Sequence, residues 1–596
     1  TTEIYTLSLH DALPICCVVG IGEALADEQN GLPFYQAKNE QGAVHAATAF
    51  AKEHNRRKIM AVTSSIGPGA LNMVVGAGTA TANHIPVLLL PGDVFASRQP
   101  DPVLQQIETP VDYTNTANDA FRSVSRYWDR VNRPEQLMSA MLNAMRTLTD
   151  PADTGAVTIA LPQDVQGMAY DYPLEFFAKR VHYIERRIPT KSQLDRLATR
   201  IAKAEKPLVI CGGGVRYSEA GDALAAFCQR FAIPFAETQA GKGTVLWDNP
   251  FNLSGIGTTG SQAANRLAKV SDLIIGVGTR FGDFTTCSKW LFQNPACEFV
   301  SINVASFDAY KLNSLPIVAD AKLTLEALLS QPQLSGYTSS WGQAIETERN
   351  LWKEEVDRLY QEVVPSSLSQ ARVLGELNDR LLPPSAIVVS GSGSIPSDMQ
   401  RVWRTRVRGT YHMEYAFSCM GYEVAAALGA KIAHPDREVV TIIGDGAYTM
   451  LHTELLTSIQ EGRKIIVVVL DNAGFHCIDN LQNSQGIVHY GNEWRRREDE
   501  TGRLTGSSLS VDYALNAQSW GAVGLRADTI EELEQAVKQA LAEKVSTLIH
   551  CHVAPKSMTK GYDSWWRVGT AEVSNNPKVV EAWTELQSEI AKTRQF

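Results

Sequence analysis

Two stretches far apart in the chain follow one plan: a β-rich run, a glycine turn, a helical stretch and a second β-rich run. Residues 59–64 (IMAVTS) meet Gly67, Pro68 and Gly69, then a small-residue helical stretch, then the run 85–90. Residues 439–443 (VVTII) meet Gly444, Asp445 and Gly446, then a helical stretch over 450–460, then the run 465–470. Strands joined through a crossover helix lie parallel, so each stretch is a βαβ unit and implies a parallel sheet with helices on its faces. A third region of this kind lies between them. Its strands, 207–210 and 272–277, end in Gly212-Gly213-Gly214 and Gly278. The expected fold is therefore α/β, with three domains each built on a parallel sheet flanked by helices.

The chain has 596 residues, enough for three large domains or four of roughly 150 residues. Irregular or Pro/Gly/Ser-rich joints place the boundaries at 17–187, 188–332 and 365–560, with a linker and helix at 333–364 and a tail at 561–596. Residues 1–16 have neither the charged start nor the apolar run of a leader peptide. They resemble translated adaptor DNA, so they are expected to lie outside the fold and to leave the first domain short of its opening strand. The net charge of −10 argues against a nucleic-acid binder, which would carry a basic face. The longest apolar runs, such as 464–470, are too short to cross a membrane. Nine cysteines without CxxC spacing suit buried, reduced thiols and a cytoplasmic protein.

The strongest chemical signal pairs Asp445 with Asn472. Each stands at the carboxyl end of a predicted strand, and in a parallel sheet both ends open onto one ligand crevice. A carboxylate and an amide oxygen are hard donors suited to Mg²⁺ with phosphate oxygens. Gly446 lets backbone approach a phosphate closely, and the following helix offers its first amides. Residues 391–394 (GSGS), with Gly393 and Ser394, follow another predicted strand and are expected to cradle phosphate through their amides. Glu40 begins an apolar, small-residue helix, where a carboxylate is costly to bury without a partner.

Together these residues resemble the thiamine-diphosphate enzyme family, whose metal motif is GDG followed by an Asn near the next strand end. The resemblance runs from about residue 20 to 555 and implies a pyrimidine-binding domain, a Rossmann-like central domain and a diphosphate-binding domain. It implies Mg²⁺ ligands Asp445, Asn472 and the Gly474 carbonyl, and cofactor contacts from Gly393, Ser394, Gly446, Ala447 and Asn472. Glu40 matches the acid that bonds the cofactor's aminopyrimidine, and Met420 the apolar residue that bends the cofactor. The run 67–72 (GPGALN) is similar to the acetohydroxyacid synthase branch, from which Gln105 is carried over as a substrate contact. The runs 34–50, 414–425 and 561–566 are most similar to a hydrolytic branch of myo-inositol breakdown, which opens a cyclic 1,2-diketone to 5-deoxy-glucuronate. Such a reaction needs a base to activate water and an acid to protonate a carbanion; His412, Glu414 and His476 are the candidates.

The resemblance also implies a homodimer or tetramer whose active sites lie between chains, and a polyol diketone as the small-molecule substrate. A lone chain is expected to expose the apolar faces around 43–50 and 420–427. Two further readings are a carboligase or decarboxylase acting on a 2-keto acid, such as acetolactate synthase, and a non-catalytic module. Residues 276–282 miss the GxGxxG fingerprint, the last glycine coming one residue late; the resemblance to the synthase branch, which holds FAD in this region, leaves flavin binding open. Residues 494–500 (WRRREDE) read as a solvated loop. Cys419 lacks an adjacent base in the sequence.

Overall fold

The computed structural model describes residues 7–11, 18–27, 31–365 and 367–596, with residues 7–11 as backbone only. Three six-stranded sheets follow one another along the chain, and every strand pair among the described residues is parallel. The first holds β1 (Leu7–Asp11), β2 (Phe34–Ala37), β3 (Met60–Ser64), β4 (Val87–Asp93), β5 (Tyr127–Arg130) and β6 (Ala156–Pro162), in the order β2-β1-β3-β4-β6-β5. The central sheet holds β7 (Pro207–Cys211), β8 (Phe235–Glu237), β9 (Asn252–Gly255), β10 (Leu273–Val277), β11 (Glu298–Ile302) and β12 (Leu315–Ile317), in the order β12-β11-β10-β7-β8-β9. The last holds β13 (Ile387–Ser390), β14 (Tyr411–Met413), β15 (Val439–Gly444), β16 (Ile466–Asp471), β17 (Val523–Ala527) and β18 (Thr547–His552), in the order β14-β13-β15-β16-β18-β17. The first and last sheets thus share one topology, strand for strand.

That shared topology corrects the reading of the first residues. Leu7–Asp11 does not lie outside the fold: it pairs with β2 on one side and β3 on the other, in the slot that β13 fills in the last sheet. Without it, the facing amides and carbonyls of β2 and β3 would lack partners in the middle of a sheet. The boundary at residue 17 accordingly falls inside the first domain; residues 1–6 and 12–17 lie outside the described residues.

The interior strands β3, β7, β15 and β16 are buried on both faces, as parallel strands covered by helices must be. Helix α1 (Glu40–Glu53) is buried along nearly its whole length and lies against α4 (Tyr422–Ala433) of the last domain within the same chain. A methyl on Gly429 would stand 2.1 Å from the carbonyl oxygen of Ala46, so glycine is what lets the two backbones meet. Ala43, Val44, Ala46, Ala47 and Phe50 form one apolar cluster with Leu428 and Ile432. The faces expected to be exposed in a lone chain therefore cover one another.

The helix expected after the linker, Ala344–Tyr360, inserts Trp352, Val356 and Leu359 into a core shared by the central and last sheets. The tail also packs: Tyr562 O accepts from Asn265 Nδ2 at 2.8 Å, and the helix Pro577–Ile590 follows. The seven described cysteines are free, and all but Cys477 are buried. No helix among the described residues is long and apolar enough to cross a membrane.

Candidate active site

Strand β15 delivers Asp445 and the neighbouring β16 delivers Asn472, because Gly444 pairs with Leu470 and both strands end together. The GDG turn opens a short helix, α5 (Asp445–Met450), at once; the helical stretch expected from 450 onward is a separate one, α6 (Glu454–Gln460). Asp445 is buried, and its two oxygens have different tasks. Oδ2 accepts from the Gly474 amide and from Trp494 Nε1, each at 2.8 Å. The inner end of the Asn472 amide lies 3.3 Å from Asp445 Oδ1 and 2.9 Å from the carbonyl oxygen of Gly474; with its nitrogen turned inward it donates to both. With the amide turned the other way, as a cation at this point would require, three acceptor oxygens converge. Octahedral Mg²⁺, at about 2.0–2.1 Å from each ligand, holds adjacent ligand oxygens roughly 2.9 Å apart, so this trio fits a magnesium face. Burial first, and the nearby Asp471 carboxylate second, push the Asp445 carboxyl up to about 7. A cation beside it would reverse that.

Trp494 went unrecognised in the sequence. Residues 494–500 were expected to be a solvated loop, yet the segment folds back so that Trp494 N donates to Ala473 O at 2.9 Å and its indole reaches Asp445. Gly474 allows that return, since a methyl there would lie 2.3 Å from Asn492 O. Gly446 is buried against Phe475, and Ala447 sits in the apolar cluster behind the turn.

Glu40 is buried at the start of α1 and has the partner its burial requires: Asn72 Nδ2 donates to Oε2 at 3.0 Å. Asn72 lies on α2 (Pro68–Ala82), whose turn is shaped around this acid. A methyl on Gly69 would stand 2.9 Å from Glu40 Oε1, and one on Gly67 would strike the carbonyl oxygen of Gln105 at 1.7 Å. The glycines of the first turn thus bring Gln105 and Glu40 to one place. The Gln105 side-chain oxygen is buried there without a hydrogen-bond partner. The start of α1 is tied to the last domain, where Glu454 accepts from the amides of Lys38 (3.2 Å) and Asn39 (3.0 Å).

Met420 packs on the cluster holding Val389, Tyr422 and Ile443, at a turn where Gly421 adopts φ 91° before α4. Behind this turn, Glu423 Oε2 accepts from the Gly421 amide at 2.9 Å, and its carboxylate also takes a hydrogen bond from the backbone of Ser392. Glu423 therefore braces both the Met420 turn and the loop 391–394. Gly393, at φ 114°, and Ser394 begin helix α3 (Ser394–Val402), and Ser394 Oγ donates to Gln370.

Burial pushes the Glu423 carboxyl up to about 8 from 4.5. A carboxyl raised in the fold contributes stability below its unfolded value and loses it as pH rises toward the folded one. Stability should fall between pH 4.5 and 8 by up to about 1.4 kcal/mol per pH unit from this group. In Glu423→Gln, melting temperature is expected to change less over that window than in the parent; parallel melting curves at each pH would contradict it.

Three family models match the chain: the thiamine pyrophosphate enzyme N-terminal TPP-binding domain over residues 13–114, the central domain over 194–328 and the C-terminal TPP-binding domain over 391–551. Curated proteins align over nearly the whole chain. A Clostridium tetani protein named 3D-(3,5/4)-trihydroxycyclohexane-1,2-dione hydrolase is 53% identical, over 97% of this chain and 94% of its own length. A Bacillus cereus protein of that name, numbered 2, is 52% identical over the same shares, and one from Geobacillus thermodenitrificans is 53% identical over 97% and 93%. The chain belongs to the thiamine pyrophosphate enzyme family. In that family's terms, the first and last sheets are the two TPP-binding domains, with Glu40 in one and the oxygen trio in the other.

Of the three residues expected to move protons, only His476 has a nitrogen to spare. His412 is fully buried on β14: its Nδ1 meets Glu53 Oε1 at 2.8 Å and its Nε2 meets the Tyr422 hydroxyl at 2.7 Å. Burial holds its pKa down at about 4, and Glu53 is further paired with Arg216 at 3.1 Å. The expectation that His412 activates water is corrected: it is a neutral cross-brace where the three domains meet. Both oxygens of Glu414 are engaged, accepting from Asn83 Nδ2 and the amides of Phe417 and Cys419 at 2.8–2.9 Å. It holds the loop that presents Met420. His476 begins helix α7 (His476–Ser484) just past the metal turn, is buried, and its Nδ1 has no hydrogen-bond partner. Burial lowers its pKa, so it stands neutral and able to accept a proton.

Cys419 does have a neighbouring base that the sequence hid, His45 Nε2 at 3.6 Å, but burial raises the thiol to about 11 and lowers His45 to about 3. A neutral thiol beside a neutral imidazole is not an activated nucleophile. In the central domain, Gly278, Thr279 and Arg280 line a cavity of about 590 Å³ at the switch point between β7 and β10. None of the site residues expected from the sequence lines it.

Proposed function

We propose that this chain is a thiamine diphosphate- and Mg²⁺-dependent hydrolase that opens 3D-(3,5/4)-trihydroxycyclohexane-1,2-dione to 5-deoxy-D-glucuronate in the cytoplasm, a step of myo-inositol breakdown. Water adds across the bond between the two carbonyl carbons; one becomes an aldehyde and the other a carboxylate, with no redox partner needed. The reading is carried by relatives of that name aligning at 53% identity over 97% of the chain, together with the meeting of Asp445 Oδ1, the Asn472 amide and the Gly474 carbonyl at one point.

When bound, thiamine diphosphate supplies a carbanion nucleophile and an electron sink that no side chain provides. The chain's residues do the rest. Asp445 Oδ1, the Asn472 amide oxygen and the Gly474 carbonyl would hold Mg²⁺. Residues 391–394, with the amides of Gly393 and Ser394, receive the diphosphate, and Gly446 and Ala447 give it room. Met420 would give the cofactor an apolar support. Glu40 holds a proton toward the aminopyrimidine, with Asn72 fixing its orientation. His476 takes a proton from water and returns it to the product carbon. The unpartnered Gln105 oxygen accepts from a substrate hydroxyl, a donor that a polyol has and pyruvate lacks.

We propose further that two chains complete each site. Apolar side chains stand exposed beside each half: Leu71 and Val75, one turn apart on α2, and Met450 and Ile478 flanking the metal turn.

The test is incubation with the cyclic dione, cofactor and Mg²⁺, followed by mass spectrometry. The expected product is heavier than substrate by one water and carries an aldehyde and a carboxylate. No such product, with CO₂ or acetolactate formed from pyruvate instead, would make the protein a 2-keto acid enzyme.

A further inference from the structure

Behind the metal turn, on the face of the last sheet, four side chains from three neighbouring strands converge. In the register of β16 with β18, Val469 pairs with His550 and Asp471 with His552, so the three polar residues share one face of adjacent strands. Asp528 follows directly on β17, the next strand over. The donor atoms of Asp471, His550 and His552 all lie within 4.8 Å of one another.

The hydrogen bonds decide what this cluster can hold. His552 Nδ1 meets Asp528 Oδ1 at 2.6 Å. A carboxylate on one ring nitrogen places the proton there and leaves the other nitrogen as a lone pair. That nitrogen, Nε2, faces Asp471 Oδ2 at 3.7 Å, acceptor against acceptor. His550 Nε2 reaches the same oxygen at 2.8 Å, and the buried Nδ1 of His550 has no partner. The other Asp471 oxygen is already used, accepting from the Ala473 amide at 2.9 Å. The cluster thus turns one carboxylate oxygen and two imidazoles toward a common point.

We propose that this point is a second metal site, for a divalent ion of the zinc class, held by Asp471 Oδ2, His550 Nε2 and His552 Nε2. Two imidazoles with one carboxylate select zinc and its late first-row neighbours over magnesium, which keeps to oxygen. Zinc at about 2.0–2.2 Å from each ligand places tetrahedral donors roughly 3.3–3.6 Å apart, and the observed 2.8 and 3.7 Å bracket that range. Asp528 is the outer carboxylate that orients His552. His552 is half exposed, which gives the ion its entry and leaves a fourth position for water. Because Asp471 also holds Ala473, the ion would anchor the turn that presents Asn472 and Gly474.

The test uses the full chain saturated with thiamine diphosphate and Mg²⁺. Zn²⁺ is titrated by calorimetry, and Co²⁺ by visible absorption, where four-coordinate cobalt absorbs far more strongly than six-coordinate. One ion per chain and the strong absorption are expected. Asp528→Asn should weaken binding roughly 10–100-fold, and His552→Ala at least as much; both residues are exposed, so melting curves can show each variant folded. Binding that is absent, that is unchanged in His552→Ala, or that is lost in Asp445→Ala but kept in His552→Ala would overturn the site.

Discussion

Glu40→Gln is expected to lower kcat by roughly 10²–10⁴-fold, the usual worth of a positioned acid or base, and to leave the fold intact. The amide matches the carboxylate in shape, which matters where Gly69 already yields its side chain to Glu40 Oε1. It can still accept from Asn72 Nδ2, now at 3.0 Å from the carboxylate. What it cannot do is exchange a proton with a ring nitrogen of the cofactor. Turnover at saturating cofactor, with circular dichroism as the control for folding, measures the effect. Activity within a few-fold of the parent would remove Glu40 from the proposed machinery.

Asp445→Ala carries the second large effect. It deletes one oxygen of the converging trio and also the acceptor for Gly474 N and Trp494 Nε1. Removing one partner of a buried, hydrogen-bonded charge pair costs about 2–5 kcal/mol, so affinity for thiamine diphosphate in Mg²⁺ should fall roughly 30-fold to several-thousand-fold. Asp445→Asn keeps an acceptor for the two N–H groups, and its melting curve separates damage to the turn from loss of the metal. Calorimetry showing unchanged affinity in both variants would contradict the metal assignment. The same variants test the shared site. Refolded together, Glu40→Gln and Asp445→Ala chains, each inactive, should recover roughly a quarter of parental activity if two chains build each site. Half the dimers are then mixed, each with one sound site. No recovery in a mixture shown by native mass spectrometry to hold mixed dimers would place each site within one chain.

What His412, Glu414 and Trp494 touch is set by side chains distant in sequence. His412 and Glu414 were candidates because they precede Met420, and their neighbours along the chain are consistent with catalysis. Their partners, Glu53 and Asn83, come from the first domain. Polar atoms saturated from a distant segment look no different in sequence from polar atoms left free. Trp494 was misjudged for the same reason: its charged neighbours suggested solvent, and only the fold-back onto Ala473 takes the indole to Asp445. Asn72 lay in a recognised run, but nothing local says that its amide reaches Glu40.

By itself the sequence determined the two matching βαβ plans, the placement of Asp445 and Asn472 at adjacent strand ends, and Glu40 at the head of a small-residue helix. These are near-neighbour properties: strand pattern, turn glycines and helix starts act over a few residues, and a parallel sheet then aligns its own strand ends. Tertiary structure alone decided which polar groups are free to act, that α1 and α4 cover each other's apolar faces, and that Leu7–Asp11 belongs to the first sheet. Each depends on contacts between segments far apart in the chain, where burial and hydrogen-bond satisfaction of backbone and side chains are settled only once the sheets have assembled.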